Sequence, residues 1–186
     1  MSVQVGKPAP DIKVEAYVRG EEQPRKTSIA DYHGKWVVLF FYPRDFTFVC
    51  PTEIQSFASR SADFEKEKAI VIGASTDSYH SHKAWFETDE RLKDVNYPVI
   101  ADGSHKFTDA FNILLEDGRA LRGTFIIDPD GIVRNIQVND LDTGRSIDET
   151  LRTLRAMRTG GLCPAGWQPG EHTLGEGERK EIITSA

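Results

Sequence analysis

Sulfur is scarce in this chain. Its 186 residues hold two cysteines, Cys50 and Cys163, and two methionines. A framework of several disulfides is therefore excluded, and with it the small secreted scaffolds that depend on one. No Cys-x-x-Cys pair occurs, so neither a zinc ribbon nor a local dithiol is available. Long apolar runs are missing too, since nothing approaches the ~20 residues of a membrane helix. Met1 to Lys7 lack the charged-then-apolar order of a secretory leader, and a cytoplasmic chain is the expectation. Positive charge is nowhere concentrated. With a net charge of −6 and no segment basic over several turns, neither nucleic acid nor an anionic membrane is expected as a partner. There is no Walker glycine–lysine loop, and Gly175-Glu176-Gly177 does not follow a strand. His80 and His82 would leave a helix on different faces. Asp128-Pro129-Asp130-Gly131 lacks the remaining calcium-loop ligands and reads better as a turn. No metal and no cofactor is expected.

What is present is enough apolar residue for one full core. The hydrophobic fraction of 39% and the chain length suit a single globular domain. Residues 1–35 read as an N-terminal extension with a hairpin turning at Gly20 to Pro24. Val37 to Tyr42 is too continuously apolar for a one-sided strand and predicts a central one. From Ile54 the apolar positions 54, 57, 58 and 64 have helical spacing. A second buried strand is expected at Ala69 to Ala74, a helix at Ser78 to Glu87 and a short strand at Pro98 to Ala101. Lys106 to Phe111 reads as a short helix. Thr124 to Asp128 and Ile132 to Val138 form a hairpin around the Pro-Asp-Gly turn. A last helix opens at Ser146, with Glu149 at capping-box spacing, and stops at Gly160-Gly161. The order predicts an α/β fold with helices covering a mixed sheet. Two parts are expected: a domain over residues 1–160, and a mobile C-terminal tail over 161–186 that carries Cys163.

The candidate chemistry centres on Tyr42-Pro43-Arg44-Asp45-Phe46-Thr47-Phe48-Val49-Cys50-Pro51-Thr52-Glu53. Cys50 falls where a strand hands over to a helix. As the helix cap it would meet unpaired N–H groups and the positive end of the helix dipole, both of which favour thiolate, the reactive form. The alternative is a buried, inert core cysteine. Pro51 at the first helical position and Glu53 at the third favour the helix start. Thr47 stands where a dithiol motif would have its first cysteine. Its hydroxyl could orient an oxygen substrate and hydrogen-bond the sulfur, or simply satisfy its own loop. Pro43 either walls the site from water or just ends the strand. Glu53 would reach back as a capping-box acid, and its charge opposes a thiolate, so a cation is required. Arg44, Arg119, Arg122 and Arg145 are the candidates, and spacing does not choose among them. Cys163, after two glycines, reads as a resolving thiol that attacks an oxidised Cys50.

These segments carry a family likeness. Phe41 to Glu53 resembles the peroxidatic loop of typical two-cysteine peroxiredoxins. Leu162-Cys163-Pro164-Ala165-Gly166-Trp167 resembles their resolving segment, with Leu162 where many members have valine. Within that family the chain looks most like the bacterial alkyl hydroperoxide reductase C subunits. The resemblance implies a thioredoxin-like fold and a thiol peroxidase acting on hydrogen peroxide and small organic hydroperoxides. It makes Cys50 peroxidatic and Cys163 of a partner subunit resolving, and it places Pro43, Thr47 and Arg122 in the site with Glu53 and Arg145 supporting them. It also implies a homodimer, assembled as a decamer of five dimers. The disulfide would be re-reduced by a flavoprotein, the alkyl hydroperoxide reductase F subunit, or by a thioredoxin-type protein. Asp89 to Asn96 lacks the Gly-Gly-Leu-Gly insert of hyperoxidation-sensitive members, and Ile182 to Ala186 lacks their Tyr-Phe pair, so resistance to over-oxidation is expected. A holdase and a general thiol–disulfide oxidoreductase are the competing functions.

Overall fold

The computed structural model describes residues 3–175. Contacts divide the chain into two compact units, Met1–Ile147 and Asp148–Ala186. The first unit contains a seven-stranded sheet made of β1 (Val14–Tyr17), β2 (Arg25–Thr27), β3 (Trp36–Phe41), β4 (Ala69–Ser75), β5 (Val99–Ala101), β6 (Arg122–Ile127) and β7 (Val133–Asn139). Helices α1 (Cys50–Ser59), α2 (Ser61–Lys66), α3 (Tyr79–Thr88) and α4 (Lys106–Ala110) flank it. The strand order is β2-β1-β5-β4-β3-β6-β7. β3, β4 and β5 run parallel, while β6, β7 and the β1–β2 hairpin pair antiparallel. This is the α/β arrangement with a mixed sheet expected from the strand and helix order, and it agrees with the thioredoxin-like fold that the resemblance implies. The N-terminal extension is a hairpin, as expected, and it is part of the sheet: β1 pairs with β5.

β3 shows why its sequence is so continuously apolar. It lies inside the sheet between β4 and β6, and Val37 to Phe41 are all buried. Successive side chains face opposite ways. On one face Phe40 stacks on Phe57 of α1, with ring centroids 4.2 Å apart, and meets the edge of Tyr97 at 5.8 Å. On the other, Phe41 packs against Phe107, Phe111 and Phe125 at 5.5, 5.2 and 5.7 Å. Gly73 of β4 makes room for the first cluster, because a Cβ there would lie 3.2 Å from the Phe40 ring.

Two local expectations change. The helical stretch after Ile54 is two helices, because the backbone breaks at Arg60 (φ −103°, ψ 10°). The first of them also starts differently. Cys50 is its first helical residue, since Val49 already has helical dihedrals (φ −79°, ψ −42°) and its carbonyl accepts the Thr52 and Glu53 N–H groups at 3.1 and 3.4 Å. Pro51 is thus the second helical residue and Glu53 the fourth, one residue too far in for a capping box.

The second unit holds nearly all of α5 (Ile147–Arg158) and the chain beyond it. Gly160, at φ 68°, follows the helix end. Within the described part of the tail expected to be mobile, Leu174 N–H donates to the Leu162 carbonyl at 2.8 Å, and Trp167 is buried. The rest of that expectation, residues 176–186, lies outside the described residues.

Phe125 is fully buried against Phe41 and Phe111. Phe125→Ala should lower the unfolding free energy by about 3–5 kcal/mol, read from urea denaturation midpoints.

Candidate active site

β3 ends at Phe41, and the loop after it delivers Cys50 to the start of α1. Pro43 is buried in that loop. No side chain caps α1; the Thr52 and Glu53 N–H groups turn back to the Val49 carbonyl and Pro51 has none, so what the helix start offers the sulfur is its dipole, which favours a negative charge there. Cys50 itself is only 1% exposed. Burial alone would fit the inert core reading. The neighbours of Cys50, however, are charged.

Arg122, the first residue of β6, directs its Nη1 to Cys50 Sγ at 3.5 Å. The same nitrogen donates to Glu53 Oε2 at 2.6 Å, and Nε donates to the Leu141 carbonyl at 2.7 Å. Glu53, one helical turn after Cys50, points inward and meets a second cation. Arg145 grips it with Nε on Oε1 at 2.8 Å and Nη2 on Oε2 at 2.9 Å, and the Arg145 backbone N–H adds a bond at 2.9 Å. Arg145 Nη1 also donates to the Gly123 carbonyl at 2.8 Å, and its guanidinium lies 5.4 Å over the Phe40 ring. All three charged side chains are buried. Two guanidiniums face one carboxylate, so the cluster carries one net positive charge beside the sulfur.

Burial on its own would push the Glu53 carboxyl up. Hydrogen bonds and charge from Arg145, with the charge of Arg122, more than reverse this and hold it below its ordinary value. Glu53 is therefore the anion that lets two arginines sit in the core.

Of the four candidate cations, only Arg122 touches the sulfur. Arg145 acts on Glu53. Arg44 is exposed and reaches the Asp117 carbonyl at 3.5 Å, and Arg119 pairs with the Asp117 carboxylate. For Thr47 the second of the two alternatives is the one observed: its hydroxyl satisfies its own loop, donating to the Arg44 carbonyl at 3.0 Å. That fixes its hydrogen and leaves its lone pairs to accept from an incoming O–H.

One feature of the site escaped the sequence. Asp45, in the same loop, is buried and accepts from the Tyr42 hydroxyl at 2.8 Å and the Ser81 hydroxyl at 2.7 Å. His82 Nδ1 lies 2.8 Å from it, and His82 Nε2 lies 3.1 Å from the Ile100 carbonyl. The Asp45 N–H donates to Asp77, which also takes the Ser75 hydroxyl. Burial and the Asp45 charge raise Tyr42 well above its ordinary value, which keeps it a donor. This network anchors a loop whose Phe46 sits at φ 55°, a conformation that costs a bulky residue energy. The signal was available: Asp45 within an apolar loop, and a histidine at an inward helix position.

No group of three or more His, Cys, Asp or Glu among the described residues could hold a metal ion. No helix there is long and apolar enough to cross a membrane.

A mixed sheet that presents a cysteine at a helix start, under an arginine held by a buried carboxylate, defines a thiol-reactive enzyme of thioredoxin-like architecture. The AhpC/TSA family model matches residues 5–136, and that of the C-terminal domain of 1-Cys peroxiredoxin matches 156–179. Peroxiredoxin tpx1 of Schizosaccharomyces pombe is 49% identical over 182 residues, covering 94% of either chain. Peroxiredoxin prdx-2 of Caenorhabditis elegans is 48% identical over 184 residues, covering 95% of this chain and 90% of that protein. The reduced Plasmodium vivax 2-Cys peroxiredoxin superposes with a TM-score of 0.89 at 34% identity, over 98% of both chains. Enterococcus faecalis AhpC gives 0.82 at 33% identity, over 87% of this chain and 99% of that one. The chain belongs to the AhpC/TSA family and is a peroxiredoxin, a thiol-dependent peroxidase.

Replacing Glu53 by glutamine leaves the cluster with two buried cations and no anion. Glu53→Gln should cost about 3–5 kcal/mol at neutral pH. The folded carboxyl lies below the ordinary value of 4.5, so its stabilisation is present above that pH and lost as pH falls through the folded value. The gap between wild type and variant should therefore narrow in acid, as followed by urea midpoints across the carboxylate range.

Proposed function

We propose that Cys50 is the peroxidatic residue and that Cys163 of a partner subunit resolves it. The observation that carries this reading is the 3.5 Å approach of Arg122 to Cys50 within a cluster that lacks one negative charge. The Cys50 thiolate attacks the near oxygen of the peroxide. An S–O bond forms, the O–O bond breaks, and the far oxygen leaves with a proton as water or an alcohol. Negative charge develops on that far oxygen, and Arg122 is a fixed donor beside it. Thr47, with its hydrogen already on Arg44, accepts from the peroxide O–H and helps align the two oxygens with the sulfur. Pro43 shields the sulfur from water. Glu53 and Arg145 hold Arg122 in place.

The sulfenic acid then condenses with Cys163 of the partner subunit, which requires a homodimer. The assembly proposed is a decamer of five such dimers. Residues 161–186 act as the tail that delivers the resolving thiol. A cytoplasmic disulfide reductase, the flavoprotein F subunit type or a thioredoxin-type protein, returns both thiols. Hydrogen peroxide and small organic hydroperoxides are the substrates, because the buried sulfur leaves little room beside it.

Peroxide consumption with a thiol reductant tests the roles. Cys50→Ser should abolish turnover. Cys163→Ser should react once with peroxide and then stop, and no crosslinked dimer should appear on a non-reducing gel. Turnover that survives Cys50→Ser would overturn the reading, while anti-aggregation activity unaffected in both variants would favour a holdase.

A further inference from the structure

Three donors converge on one carbonyl near the end of α5. Ala156 O accepts the Thr159 N–H at 3.2 Å, the Thr159 hydroxyl at 2.8 Å and the Cys163 thiol at 3.5 Å. Thr159 Oγ1 also lies 3.5 Å from Cys163 Sγ and accepts the Gly161 N–H at 3.1 Å. With its own hydrogen on Ala156, the Thr159 hydroxyl meets the sulfur through a lone pair. Both oxygens that face Cys163 are therefore acceptors, and they match a sulfur that still carries its proton.

The surrounding chain holds this arrangement shut. A Cβ on Gly161 would lie 2.8 Å from Thr173 Oγ1, so the backbone is wedged there. Leu162 pairs with Leu174. On the far side of Cys163, Arg152 Nη1 holds the Trp167 carbonyl at 2.9 Å, and Trp167 Nε1 donates to the Glu171 carbonyl at 3.1 Å. The two cysteines thus occupy helix ends of opposite polarity. Cys50 sits at the N–H end of α1, and Cys163 sits against the carbonyl end of α5.

We propose that Thr159 is a positioning residue for the resolving step: with the Ala156 carbonyl it seats the protonated Cys163 thiol, and departure from this seat limits capture of oxidised Cys50. The proposal rests on the reading of Cys163 as the resolving cysteine. The step balances without a further reactant. Cys163 leaves the seat, its sulfur bonds to Cys50 sulfur, the Cys50 S–O bond breaks, and the hydroxyl leaves with the Cys163 proton as water. A seat that delays this step lengthens the life of the sulfenic acid, the species that a second peroxide converts to sulfinic acid.

Thr159→Val keeps the shape and removes the hydroxyl, and Thr159→Ser keeps the hydroxyl. Single-turnover oxidation with one equivalent of hydrogen peroxide, quenched and resolved by mass spectrometry, separates sulfenic acid formation from disulfide formation. Thr159→Val should leave the first rate unchanged and raise the second by about threefold to tenfold, the worth of one or two weak hydrogen bonds. Maleimide labelling of Cys163 in a Cys50→Ser background should rise by a similar factor, and Thr159→Ser should restore wild-type behaviour in both assays. A merely structural role would lower the melting temperature without separating the two rates. Unchanged resolution and labelling in Thr159→Val, or a Thr159→Ser variant that behaves like valine, would overturn the seat. If Cys163→Ser still forms the disulfide-linked dimer, the resolving role itself fails, a result distinct from the loss of the seat alone.

Discussion

A single buried carboxylate organises the site. Glu53 takes a two-pronged bond and a backbone bond from Arg145 and a third side-chain bond from Arg122. Burying two guanidiniums without an anion would cost several kcal/mol for each. Burying them with two anions would leave no net charge for the sulfur to answer. One carboxylate between two arginines gives a stable cluster that still lacks one negative charge, and Cys50 is the group placed to supply it. Arg122 is also fixed by the Leu141 carbonyl, so its orientation is set before a substrate arrives. Preorganised charge of this kind needs no rearrangement as the reaction proceeds.

The sheet makes the cluster possible. Cys50 and Glu53 share one helical turn, Arg122 opens β6, and Arg145 comes from the loop after β7. β3 and β6 are hydrogen-bonded neighbours. The β3 exit therefore brings α1 to the start of β6. Phe40 contributes to both core and site, stacking on Phe57 while its ring lies beneath Arg145. Gly123 has a similar double role. A Cβ there would lie 2.9 Å from Ile113, and its carbonyl accepts Arg145. The loop that carries the sulfur is held from the opposite side by Asp45 and its partners, so a conformation with Phe46 at positive φ persists.

Much of this was legible in the sequence, for identifiable reasons. The unbroken apolar run of β3 and the Pro-Asp-Gly turn are local signals, and those elements fell where the signals placed them, whereas the helical period from Ile54 to Phe64 runs across a backbone break at Arg60 that periodicity does not register. The choice among Arg44, Arg119, Arg122 and Arg145 is a question about distance through space, and composition and spacing carry no such information. The resemblance pointed to Arg122 and Arg145, and the geometry adds that only Arg122 meets the sulfur while Arg145 works through Glu53. The helix start moved by one residue because the Val49 backbone, with no capping side chain of its own, already accepts the first turn's N–H groups. The Asp45–His82 network was missed because its members are 37 residues apart and each, taken alone, reads as an ordinary loop or helix residue.

The central claim is that Glu53 leaves one positive charge of its two arginines unanswered and that Arg122 places that charge beside the Cys50 sulfur. The most direct measurement is the ultraviolet absorbance of the thiolate at neutral pH in the reduced Cys163→Ser protein, where Cys50 is the remaining thiol. The account predicts a band equivalent to one thiolate, and its loss when Arg122→Gln is added to a protein that still gives native circular dichroism. An equal band with and without Arg122, or no band in either protein, would contradict it.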